Sequence, residues 1–232
     1  MIALVPARGG SKGLPGKNLL SINGHPLVGN SVRQALDSKF IEEVYISTDD
    51  PLIEQCACEY GAISLGLRPE ALATDTALAN DTYRHIIELI EQSQNSPVKE
   101  IVILQPTSPL RHVDDINGAI SMYRDMDADS VISIREQYHP TSWLKEIDER
   151  NRFCFDEGLP LHSNRQDLPT RYLPNGAIYI LKRELIFGDS WYSQNSYGYL
   201  MDTERSIDVD TSLDFTFAKC LAEKNGEKNV EK

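Results

Sequence analysis

Cysteine is scarce in this chain, with four in 232 residues (Cys56, Cys58, Cys154 and Cys220) and no paired spacing of a metal-binding kind. That argues against a zinc ribbon or a disulfide framework and leaves reduced structural thiols. Positive charge is short too, with 23 Lys and Arg against 35 Asp and Glu, for a formal net charge of -12. So acidic a surface does not displace counterions from a nucleic-acid backbone, and any positive charge that function needs must be local. Long apolar runs are missing: the one before Pro6 is too short for a signal-peptide core, and none approaches a membrane span. The expected setting is the cytoplasm, with neither nucleic acid nor membrane as partner. No repeat of fixed period occurs.

What is present is an ordinary globular balance, 41% hydrophobic and 25% charged, in a length that suits one α/β domain with its own core. Strand-like runs at Ile2 to Val5, Val44 to Ser47, Ala62 to Leu65, Ile101 to Leu104 and Ser130 to Ile134 alternate with amphipathic stretches near 28–38, 51–60, 79–93 and 113–124. That rhythm predicts a mostly parallel, Rossmann-like sheet with helices on both faces. It breaks between about 137 and 174, where Pro140, Pro160, Pro169 and Pro174 suggest an inserted subregion. Asn175 to Leu181 and Tyr197 to Met201 read as further strands and Ser212 to Glu223 as a closing helix, so residues 1–223 form one domain. The charged tail 224–232 reads as disordered.

In such sheets ligands bind beyond the carboxyl ends of the strands. Four polar segments fall there: Arg8 to Asn18, Ser47 to Asp50, Arg68 to Thr76 and Gln105 to Arg111. In Pro6 to Asn18, PARGGSKGLPGKN, the glycines alternate with Arg8, Lys12 and Lys17. Glycine lets backbone N–H groups approach phosphate oxygens while the cations neutralise a polyanion, so the loop suits a triphosphate. It is neither a Walker A loop nor G-x-G-x-x-G. The plainer alternative is a flexible surface turn.

In SIDVD, Ser206 to Asp210, the carboxylates of Asp208 and Asp210 alternate on one side of an extended segment. Two hard oxygen ligands suit Mg²⁺, which keeps several waters and bridges substrate phosphates. The alternative is a helix cap by Asp210 or Ser212.

PARGGSKGLPGKN resembles the opening loop of the acylneuraminate cytidylyltransferases, and STDD (Ser47 to Asp50), LRPEALATDT (Leu67 to Thr76), LQPTSPLR (Leu104 to Arg111), NGAIYI (Asn175 to Ile180) and SIDVD follow in the same order. The resemblance implies a nucleotidyltransferase fold, transfer of CMP from CTP to the 2-hydroxyl of a nonulosonic acid with release of pyrophosphate, a Mg²⁺ cofactor and a homodimer formed through the 137–174 insert. It implies that Arg8, Gly10, Ser11, Lys12, Lys17, Asn18 and Arg68 hold the nucleotide. Gln105, Thr107, Ser108, Arg165, Asn175 and Tyr179 would meet the sugar acid. Arg8, Lys17, Asp208 and Asp210 would be catalytic, the two aspartates through the metal.

The chain departs from the pattern in the sugar half. Some members carry an arginine directly before Pro-Asn-Gly, where Leu173 stands here, with Arg171 two residues earlier. Some carry a lysine soon after a His-Pro pair, whereas Thr141 and Ser142 follow His139-Pro140, with Lys145 further on. Arg165 and Arg171 are the candidates for the acid's carboxylate, a surface or interface salt bridge being the alternative for Arg165. The acceptor stays open between N-acetylneuraminic acid, legionaminic acid and Kdo, and a non-catalytic nucleotide-binding module is the rival from another class.

Overall fold

The structure, a computed structural model, describes residues 1–140, 143–154 and 168–230, and the side chains of these except 225–230. Eleven strands and six α-helices are present among them. In chain order they are β1 (Ile2–Pro6), β2 (Ser21–Ile22), β3 (His25–Pro26), α1 (Leu27–Leu36), β4 (Glu43–Ser47), α2 (Pro51–Glu59), β5 (Ile63–Ser64), α3 (Ala79–Gln94) and β6 (Glu100–Ile103). Then come α4 (Val113–Asp125), β7 (Ser130–Gln137), β8 (Glu146–Ile147), β9 (Phe153–Cys154), β10 (Arg171–Lys182), α5 (Arg183–Phe187), β11 (Ser196–Leu200) and α6 (Ser212–Val230).

Seven strands form one sheet in the order β11-β7-β10-β6-β1-β4-β5. Side chains alternate across it, as strand geometry requires. Ala3, Val5, Val44, Ile46 and Val102 pack with Val28 and Val32 of α1, Ile53 of α2 and Ile116 and Ile120 of α4. Leu4, Tyr45, Ile101 and Ile103 face the other way, onto Tyr83, Ile86, Ile87 and Ile90 of α3 and Ile186 of α5. A mostly parallel sheet with helices on both faces is therefore what the βαβ rhythm encodes. The one strand of opposite sense in this sheet is β10, antiparallel to both β6 and β7. Strand sense depends on the partner, which local periodicity does not carry.

The chain winds outward from β1 through β4 to β5, then crosses by α3 to β6 on the other side. The loops after β1 and β6 thus part at a topological switch point, where a crevice opens beyond the strand ends. Three features lie outside the predicted pattern, the short helix α5 being one of them. A β2–β3 hairpin follows the glycine loop. Helix α6 runs to Val230, past the apolar spacing that ends near Glu223.

Candidate active site

The glycine loop is a folded object. Gly16 takes a left-handed conformation (φ 66°), which a residue without a Cβ adopts at little cost, and it starts a 3₁₀ turn over Lys17–Leu19. Asn18, 4% exposed, ties the turn back by donating from Nδ2 to the Arg8 carbonyl (2.9 Å). Gly9 N–H donates to Asp49 Oδ1 (3.1 Å), and the same oxygen accepts from Arg68 Nη2 (3.2 Å). A Cβ at Gly13 would stand 2.5 Å from the Asp210 carbonyl oxygen, so loop and C-terminal segment touch there at backbone distance.

Lys17, with 13% of its side chain exposed, donates to the Val209 carbonyl (2.9 Å) and to Asp210 Oδ1 (2.8 Å). Val209 N–H in turn donates to the Thr107 carbonyl (2.8 Å). The loops after β1 and β6 and the SIDVD segment are therefore joined directly. Asp210 is free to meet Lys17 because neither it nor Ser212 caps α6. Thr211 and Asp214 do so reciprocally, Asp214 N–H donating to Thr211 Oγ1 (3.3 Å) and Thr211 N–H to Asp214 Oδ2 (2.8 Å).

Arg8, Ser11, Lys17, Asn18, Arg68, Gln105, Thr107, Asp208 and Asp210 line one cleft of about 410 Å³. Gly10 and Lys12 are not among its lining residues; Lys12 pairs with Asp75 (2.6 Å), which does line the cleft and also accepts from Arg8 (2.8 Å). These two cations, Lys12 first, hold the Asp75 carboxyl below the usual carboxylate range. Crowding by the surrounding protein pushes Asp208 the other way, above that range, although the side chain reaches solvent. A Thr107 hydrogen bond lowers it in part, and the Asp210 charge raises it again.

A second chamber of about 520 Å³ opens beside the first, sharing Gln105 and Asp208 with it. Arg135, Tyr138, Leu173, Asn175, Tyr179, Thr203 and Phe217 are among its walls. It lies where β10 breaks register between Pro174 and Tyr179. Asn175 folds into the gap, donating to Ser206 Oγ (2.9 Å) while its Oδ1 accepts from Ser133 Oγ and Ala177 N–H. The Asn175 amide is thus committed to shaping the chamber. Gly176 takes a left-handed conformation (φ 79°) beneath Gln105 and Asp208.

Of the remaining sugar-side candidates, Ser108 is fully buried and Arg165 lies outside the described residues. Arg171 is exposed at the start of β10 and borders a separate small pocket of about 50 Å³. Among the described residues, no cluster of three or more His, Cys, Asp or Glu could hold a metal.

Several residues that the structure brings to the site carry no local mark in the sequence. Asp75 sits inside the LATDT stretch, but nothing local marks it as the partner of two loop cations. Arg111 stands at the end of LQPTSPLR, yet it is 1% exposed and braces the floor. It donates to the carbonyls of Gln105 (3.2 Å) and Ala177 (2.7 Å), to Ser31 Oγ (3.0 Å) and to Gln34 Oε1 (3.0 Å). Burial pushes its pKa down to about 9, which leaves it charged at neutral pH.

The model of the family described as Cytidylyltransferase matches residues 2–226. The CMP-N,N'-diacetyllegionaminic acid synthase of Legionella pneumophila is 35% identical, the match covering 99% of each chain. The N-acylneuraminate cytidylyltransferase of Streptococcus agalactiae serotype V is 36% identical over 92% of this chain and 51% of its own, so this chain spans about half the length of that relative. Among solved structures, CMP:2-keto-3-deoxy-manno-octonic acid synthetase, complexed with CTP, superposes with a TM-score of 0.68 at 18% identity, covering 97% of this chain and 98% of that one. At that identity the likeness concerns the fold.

Proposed function

Because the chain belongs to the cytidylyltransferase family, we propose that it transfers the CMP group of CTP to the 2-hydroxyl of a nonulosonic acid and releases pyrophosphate. The observation that carries this reading is the pair of chambers meeting at Gln105 and Asp208, one rimmed by the cationic glycine loop, the other walled by hydroxyl, amide and apolar groups. CTP occupies the first, with its phosphates against Arg8, Ser11 and Lys17 and its base toward Arg68. The acid occupies the second, its 2-hydroxyl directed at the α-phosphorus. The match with the legionaminic relative over the full length of both chains favours N,N'-diacetyllegionaminic acid as acceptor.

In-line displacement at phosphorus needs alignment and neutralised charge more than covalent help. Lys17 is held by Val209 and Asp210, so its ammonium is positioned before the nucleotide arrives. Arg8 turns from Asp75 to the phosphates and, with Lys12, offsets charge building on the pyrophosphate. The side chains present fit Mg²⁺: Asp208 and Asp210 are hard oxygen donors that both line the cleft. When bound, that ion supplies charge neutralisation at the phosphates and acidifies the attacking hydroxyl.

The protein acts in the cytoplasm as a homodimer. The β8–β9 hairpin supports the second point, since Leu144, Ile147 and Phe153 present apolar side chains to solvent there. The deciding experiment is pyrophosphate release from CTP with Mg²⁺ against N-acetylneuraminic, legionaminic and pseudaminic acids and Kdo. Binding of CTP without release from any of them would instead favour a nucleotide-binding module.

A further inference from the structure

Among the described residues, the second chamber carries one cation in its walls, Arg135, and two carboxylates, Asp208 and Asp214. Asp214 is committed to the α6 cap, accepting from Asp210 N–H, Thr211 N–H and Thr211 Oγ1. Asp208 faces the nucleotide cleft as well and accepts from Thr107. Neither pairs with Arg135, nor does any other carboxylate among the described residues. The one hydrogen bond of its guanidinium there is from Nη1 to the Glu136 carbonyl, at 3.4 Å. This is a half-buried, positively charged fork with donors to spare, in a chamber made for a ligand.

Its placement is fixed by the fold. Arg135 follows Ser133 on the same face of β7, one pleat beyond the Ser133–Asn175 lock that opens the chamber. It stands opposite Leu173 in the ladder, and Leu173 and Phe217 give the chamber apolar walls. A guanidinium matches a carboxylate with two parallel N–H···O bonds, whereas a neutral polyol does not repay its desolvation.

We propose that Arg135 binds the carboxylate of the sugar acid and so selects acids over their neutral analogues. The proposal rests on the transferase reading above and adds to it the residue that reads the acceptor's charge. It separates two duties: Gln105 and Thr107 lie under the reacting end of the sugar, and Arg135 holds its carboxylate from the β7 side.

The test is steady-state pyrophosphate release from CTP with the best acceptor of the panel and with its methyl ester, for the wild type, Arg135→Gln and Arg135→Lys. Arg135→Gln is expected to raise KM for the acid by about 100-fold, within the range for removing one partner of a sequestered charge pair. KM for CTP stays within about twofold, because the side chain does not border the nucleotide cleft. The wild type prefers acid to ester, that preference collapses in Arg135→Gln, and Arg135→Lys regains part of it. Because the acid-to-ester ratio is internal to each variant, partial loss of folded protein does not disturb it. An unchanged ratio in Arg135→Gln with an active wild type overturns the arginine assignment alone. A wild type that releases no pyrophosphate with any acid overturns the transferase reading and this proposal together.

Discussion

Lys17 and Asp210, 193 residues apart, are joined by a 2.8 Å ion pair in which the ammonium also donates to the Val209 carbonyl. The lysine is mostly sequestered and the aspartate mostly exposed, so the contact orders the lysine more than it contributes energy. Replacing Lys17 with Ala is expected to lower kcat/KM for CTP by about 100-fold or more, the scale of losing one preorganised donor at a developing charge. Asp210→Asn keeps a weaker acceptor for the ammonium and should lose less when nucleotide binding alone is measured by calorimetry. Equal losses in binding for the two variants would contradict that order.

A second expectation concerns pH. The folded pKa of Asp208 is raised, so ionising this carboxyl costs stability. The cost is absent below the unfolded value, grows as pH rises between the unfolded and folded values, and is complete above the folded one. Asp208→Asn can still accept from Thr107. It should raise the metal-free melting temperature at neutral pH, with the gain shrinking as pH falls toward the ordinary carboxylate pKa of about 4. The same variant should release pyrophosphate at least about 100-fold more slowly. A lower melting temperature at neutral pH would show that the side chain is stabilising as an anion.

Asp75 pairs with Arg8 and Lys12, the two cations that the proposed function assigns to the triphosphate, so on that proposal CTP has to displace it. In Asp75→Asn the competing anion is gone and the loop is released. CTP should then bind roughly three- to tenfold more tightly, as for any protein whose competent state becomes more populated. Titration of CTP at two salt concentrations checks this. Weaker binding would mean that Asp75 shapes the loop rather than competes with the ligand.

Arg111 offers a stability test away from the chemistry. Its guanidinium serves the Gln105 and Ala177 carbonyls, Ser31 and Gln34 at once. Arg111→Met strands those acceptors in the interior and should cost about 3 to 5 kcal/mol in urea unfolding. Arg111→Lys should recover only part of it, since one ammonium does not span four acceptors.

Helices α1 to α4 and the strands around them lie close to where apolar spacing puts them, because burial against a sheet repeats at fixed intervals that a sequence displays directly. The gathering of Arg8, Lys17, Arg68, Gln105, Thr107, Asp208 and Asp210 into one cleft follows from parallel strands ending on one edge. What stayed hidden depends on pairing. Nothing in the stretch around Asn175 says that its amide will be consumed by Ser133 and Ser206 rather than offered to a ligand. Arg135 reads as a polar residue at the end of a strand until β10 is laid beside it. Asp75 and Arg111 are likewise defined by partners far away in sequence.

The placement of β10 bears on the order of assembly. This late strand wedges between two earlier ones, β6 and β7, and the lysine of the glycine loop finds its partners only near residue 210. The first five strands and helices could pair locally, but the crevice they border has no second wall until the last quarter of the chain arrives. A ribosome that has made the whole glycine loop has therefore not yet made the cleft which that loop borders, because Asp208 and Asp210 on its far wall are still to come.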